Sequence, residues 1–264
     1  PRLGLTPQPP DRKSWVKTPA ATREQLRVIL EEKVPILIIG LGDTAEVVPL
    51  AHERGIKVMA LAGAVKHALS HARKGADVII AQGYEAGGHT GTIGNFPLIP
   101  QIVDAVRPKP VVAAGGISDG RGVAAALCLG AVGVWCGTTF LVTREGGINP
   151  VYKRQIYNGT SEDFVRTAYT SGHFARHYRS DVIKAWMSSG LDAMPTPYQG
   201  NAMDEVRRAA EAADRVDVLH VPGGQVAGML SEERNNVPAK EIVDRMVSEA
   251  AQILNDMRSR YVGA

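Results

Sequence analysis

Cysteine is scarce, with only Cys128 and Cys136 in 264 residues. Two thiols build neither a disulfide framework nor a four-ligand structural zinc site. Aromatic residues are few, at 5%, and the net charge is only +3 while hydrophobic residues reach 44%. A disordered chain shows the reverse balance, with few apolar residues and a large net charge. Lysines and arginines are scattered among acids, so the clustered basic face of a nucleic-acid binder is missing. Long hydrophobic runs are also lacking. The apolar stretch Val123 to Thr139 is broken by three glycines. It falls short of the roughly 20 residues a membrane-spanning helix needs. The start, Pro1-Arg2-Leu3-Gly4-Leu5, has no methionine and no basic-then-apolar leader. The expectation is a cytoplasmic protein with neither membrane nor nucleic-acid partner.

What the chain does have is a repeating alternation. Residues 1 to 20 are proline-rich and read as a loop or arm. Thr22 and Gln25 have capping-box spacing ahead of Leu26, Ile29 and Leu30. Ile36-Leu37-Ile38-Ile39 then reads as a strand buried on both faces, as in a parallel sheet. Further strands are expected at Lys57 to Ala60, Asp77 to Ala81, Pro110 to Ala114 and Val132 to Cys136, with helices between them. Asp119 is placed to cap one helix and Gly130 to end it. Such alternation implies βαβ units and a parallel sheet. After Glu145 the rhythm stops. Residues 149 to 200 are polar and tyrosine-rich, and a long amphipathic helix is expected over Pro238 to Arg260.

Ligands of parallel α/β folds bind at the carboxyl ends of the strands. Three such ends are glycine-rich: Gln82 to Gly91, Gly115 to Gly120, and Gly137 to Phe140. Glycine lets backbone amides approach a ligand closely, and helix starts favour phosphate. Gly115, Gly116, Gly137 and Thr138 therefore read as a phosphate cradle, with plain tight turns as the alternative. His89 follows a strand among glycines, where a proton-transfer group would face a ligand. Gln82 could donate to a carbonyl or ring nitrogen, whereas Glu85 reads as a solvated loop acid. His67 and His71 have metal-pair spacing but lack a third ligand, so they read as surface residues. Cys128 reads as a small core residue. Gly223 to Gly228 resembles a dinucleotide fingerprint only loosely.

Taken together, Gln82–Gly91 (QGYEAGGHTG), Ala113–Gly122 (AAGGISDGRG) and Gly137–Glu145 (GTTFLVTRE) resemble the nitronate monooxygenase family, formerly 2-nitropropane dioxygenases. Gly224 to Gly228 resembles that family's carboxyl-terminal Gly-Gln segment. The resemblance implies an FMN-dependent (β/α)₈ TIM barrel with His89 as the catalytic base. It implies FMN contacts from Gln82, Gly87 and Gly88, and phosphate contacts from Gly115 and Gly116. Trp135, Cys136, Gly137 and Thr138 would surround the phosphate; no metal is implied. The implied reaction oxidises an alkyl nitronate with O₂ to a carbonyl compound and nitrite. His89 would either take the α-proton of a nitroalkane or hold the nitronate. A related reading is an NAD(P)H-dependent flavin reductase of quinones or enoyl thioesters. A homodimer is left open.

Only five barrel strands can be counted where a closed barrel needs about eight. Three strand–helix units are therefore expected to be missing before Pro1. The expected organisation is a barrel portion over residues 1–148, a helical cap over 149–218, and a C-terminal segment over 219–264 whose helix packs back on the barrel.

Overall fold

The computed structural model describes residues 19–262. The expected N-terminal arm thus lies outside the described residues up to position 18, and Pro19 already opens a helix running to Glu31. Thr22 is inside that helix and not at its cap, which corrects the capping-box expectation. The strands in chain order are β1 (Ile36–Ile39), β2 (Lys57–Ala62), β3 (Val78–Gln82), β4 (Gly88–His89), β5 (Val111–Ala114), β6 (Gly133–Trp135), β7 (Phe164–Thr167) and β8 (Ala175–Tyr178). The described chain forms two compact units. The first comprises residues 19–85, 91–136 and 240–262; the second comprises 86–90 and 137–239.

The first unit is built on a parallel sheet of order β1-β2-β3-β5-β6. Helices Val47–His52, Val65–Arg73, Asn95–Val106 and Gly120–Cys128 link successive strands. This is the α/β arrangement the alternation requires, and it is the strand–helix repeat of a TIM barrel. Ile79, Ile80 and Ala81 of β3 are fully buried, as expected of an apolar run in a sheet covered on both faces. β1 departs from the expectation. Ile36 and Ile38 are 48% and 39% exposed, and among the described residues β1 is the outer strand of this sheet, paired with β2 alone. Cys128 is likewise exposed and not a core residue; Ala124 and Ala126 take the buried positions of its helix.

Local chemistry fixes the helix ends. The Asp119 carboxylate accepts from the Arg121 and Gly122 amides, capping Gly120–Cys128 as its position suggests. Gly130, at φ +95°, turns the chain after that helix. The long helix Ala239–Met257 buries Ile242, Met246 and Ala250. Its Glu249 carboxylate accepts from Gly120 N–H at 3.0 Å. A Cβ on Gly120 would stand 2.3 Å from Glu249 Cβ, so glycine is what permits this approach.

The second unit carries helices Pro150–Asn158, Asp181–Met187 and Tyr198–Ala212. It also holds a small antiparallel sheet of order β4-β8-β7, which the sequence did not announce. Gly88 pairs with Arg176 and His89 with Ala175. The Arg176 side chain is fully buried and donates from Nη1 to the Phe164 carbonyl at 2.7 Å. Phe164, Val142, Ile156, Val221 and Leu230 form one apolar cluster of this unit. Tyr169, Ile183, Ala210 and Val218 belong to another. No helix among the described residues is long and apolar enough to cross a membrane.

Candidate active site

In the first unit, β3, β5 and β6 are neighbouring parallel strands, so their carboxyl ends lie on the same edge of the sheet. Gln82, Ala114 and Trp135 stand in one cross-strand row, Gln82 opposite Ala114 and Ala114 opposite Trp135. Residues paired in this way project from the same face of a sheet. Two of the sequence-predicted residues, Gln82 and Trp135, are therefore brought into register. Beyond β5, Gly115 and Gly116 have φ of +90° and +71°, the left-handed region that favours glycine. Cys136 follows β6 directly. Burial pushes its thiol pKa up to about 11, so it is a neutral thiol and not a thiolate nucleophile.

Glu85 is not the solvated acid expected of it. Its carboxylate accepts from the Asn95 amide at 3.0 and 3.1 Å, at the start of helix Asn95–Val106. Negative charge is favoured at that end of a helix. Asn95 Nδ2 in turn donates to the Gly115 carbonyl. A Cβ on Gly116 would meet Glu85 Cβ at 3.2 Å, and one on Gly83 would meet Asn95 Oδ1 at 2.3 Å. Glu85 and Asn95 thus brace the turns after β3 and β5 against each other, while Asn95 Oδ1 is buried without a partner among the described residues. Asn95 escaped the sequence reading; the clue was a polar residue at a helix start immediately after Gly94. His67 and His71 form no metal cluster among the described residues, and His71 Nδ1 lies 3.2 Å from Thr44 Oγ1.

The second unit holds Gly87, Gly88, His89, Gly137 and Thr138. A Cβ on Gly87 would stand 2.6 Å from the Gly223 carbonyl carbon. The Gly224 amide donates to Thr138 Oγ1 at 2.9 Å. Gly223 and Gly224 are therefore packing partners of Gly87 and Thr138 rather than a dinucleotide loop. A Cβ on Gly137, by contrast, would meet nothing within 4 Å.

His89 is held on a short strand, and its Nε2 lies 3.0 Å from Ser171 Oγ. The His173 ring approaches edge-on, with centroids 6.3 Å apart. Burial, and secondarily the His173 charge, hold the His89 imidazole below its ordinary pKa of 6.5. The neighbouring Thr90 carbonyl accepts from Arg166 Nη2 at 3.2 Å, and the Arg166 guanidinium lies 4.2 Å from the Phe174 ring centroid. Ser171, His173 and Arg166 were not singled out from sequence. Arg166 comes from β7, and Ser171 and His173 from the turn between β7 and β8, a stretch that lacked any strand signal. Nearby, His177 and His220 face each other at 4.6 Å. Burial pushes them down to about 3 and about 4, so both are neutral near pH 7.

The family model for nitronate monooxygenase matches residues 8–249. Rv1533 of Mycobacterium tuberculosis, named as a monooxygenase, is 38% identical over 240 residues, covering 88% of this chain. The match spans 63% of Rv1533, so the chain covers under two thirds of that relative's length. Among solved structures, FabK from Thermotoga maritima is 31% identical with a TM-score of 0.78, covering 92% of this chain and 76% of that one. The nitroalkane oxidase of Streptomyces ansochromogenes is 29% identical with a TM-score of 0.79, covering 89% and 70%.

Proposed function

Because the chain belongs to the nitronate monooxygenase family, a family of oxidoreductases, we propose that it serves an FMN-dependent oxidation of alkyl nitronates by O₂, yielding a carbonyl compound and nitrite. Features of each unit fit a flavin phosphate. The N–H groups of Gly116 and Gly137 are given to no acceptor among the described residues, and space beside Gly137 is open. Amides presented in this way bind anions. Within the first unit, Gln82, Gly115, Gly116, Trp135 and Cys136 are assigned to FMN. The resemblance assigns Gly87, Gly88, Gly137 and Thr138 of the second unit to the same group. When bound, the flavin supplies a two-electron acceptor that returns its electrons to O₂.

The observation that carries the reading is the state of His89. A lowered pKa keeps the imidazole neutral near pH 7, the form that accepts a proton. His89 then takes the α-proton of a neutral nitroalkane and leaves the nitronate to be oxidised. The test compares 1-nitropropane with its preformed nitronate. His89→Ala is expected to lose 1-nitropropane turnover by on the order of 10²-fold or more while the nitronate is largely spared. Equal effects on both would remove His89 from proton transfer. Flavin that NAD(P)H reduces rapidly without oxygen, and nitronate does not, would favour the reductase reading.

A further inference from the structure

We propose that Ser171 is a positioning residue that fixes the tautomer of His89, with its hydroxyl accepting the Nε2 proton so that Nδ1 keeps its lone pair. This rests on His89 acting as the base. The Ser171 hydroxyl oxygen lies 3.0 Å from His89 Nε2 and also accepts from the His173 amide at 3.4 Å. A serine oxygen has two lone pairs, so it can take both protons at once. His89 Nδ1 has no partner among the described residues. A neutral imidazole carries one proton, and the hydrogen bond at one nitrogen decides which nitrogen is free.

The turn that presents this hydroxyl is held at several points. Gly172 donates to the Ala168 carbonyl at 3.0 Å. The Thr196 hydroxyl donates to the Ser171 carbonyl. Gly172 has φ +81°, and a Cβ there would lie 2.4 Å from the Met194 carbonyl oxygen, so the turn is seated against residues 194–196. A serine on a mobile surface loop would have no such anchors. The charged or titratable neighbours of His89 and of the adjoining Thr90 are His173, His177 and Arg166, and none of them changes in the substitutions below.

Nitrogen-15 spectra of the histidine-labelled full chain test the assignment without turnover or flavin. The expected signature for His89 is protonation at Nε2 in the wild type, lost to a tautomer mixture in Ser171→Ala and restored in Ser171→Thr. In flavin-loaded enzyme, Ser171→Ala should lower kcat on 1-nitropropane about tenfold, the rate equivalent of one hydrogen bond, with KM and nitronate turnover little changed. Its acidic limb should move to lower pH, because the protonated imidazole loses an acceptor. A wild-type His89 protonated at Nδ1 would overturn the assignment without any variant. So would a Ser171→Ala protein that keeps wild-type turnover, or a Ser171→Thr protein no better than the alanine. If His89→Ala shows no selective loss on 1-nitropropane, the base reading fails, whereas the nitrogen spectra still judge Ser171.

Discussion

Gln82 and Trp135 occupy one cross-strand row, each paired in register with Ala114 between them. They are far apart in sequence, yet the parallel sheet sets both at the strand ends where ligands of this architecture bind. Gln82→Leu removes the amide from that row while keeping its volume close. The expected result is a folded protein whose FMN dissociation constant rises about tenfold, the worth of one hydrogen bond to a ligand. Titration of FMN into apoprotein reads it.

Activity on 1-nitropropane should fall as pH drops through the His89 pKa, because protonation occupies the lone pair. Burial and His173 hold that pKa below 6.5, so the acidic limb of kcat/KM lies below 6.5. A limb centred above 6.5 would contradict the site's electrostatics.

Asp77 gives a pH prediction about stability. Burial opposes its charge, but the Val58 amide, His52 and Lys57 outweigh that and bring its pKa to about 2. The folded-state pKa is depressed, so the stabilisation is complete above the unfolded value of about 3.9 and is lost as pH falls through about 2. Asp77→Asn should cost roughly 2 kcal/mol at pH 7 and much less near pH 2. Urea unfolding at the two pH values measures the difference.

Two glycine substitutions should separate folding from binding. Gly87→Ala would push a Cβ within 2.6 Å of Gly223 and 2.7 Å of Gly224 backbone, and should destabilise by about 1–3 kcal/mol. Gly137→Ala meets nothing within 4 Å and should leave the unfolding midpoint unchanged while weakening FMN. Thermal unfolding with and without FMN distinguishes them.

Much of the first unit was legible because its signals are local. Val78-Ile79-Ile80 is a β-branched apolar run that reads as a buried strand, and Asp119 before Gly120 reads as a helix cap from its position alone. The exposure of β1 was not legible, since a strand's place at a sheet edge depends on its neighbours. β7 and β8 were missed because Arg166, Arg176 and His177 break any apolar alternation, and Arg176 is buried with a hydrogen bond to the Phe164 carbonyl that no sequence pattern announces. The same holds for the site. His89 and the glycines of the proposed site stand out in the sequence by strand-end position, whereas Ser171 reaches His89 across 82 residues of chain. Glu85 and Asn95 matter through the carbonyl and amide they bind, which no composition reveals.

The most direct test is an anaerobic visible spectrum of the FMN-loaded protein mixed with the nitronate of 1-nitropropane. The flavin bands are expected to bleach and then to return with nitrite release when O₂ is admitted. A spectrum unchanged by nitronate, in a protein whose flavin NAD(P)H bleaches at once, would contradict the proposed oxidation.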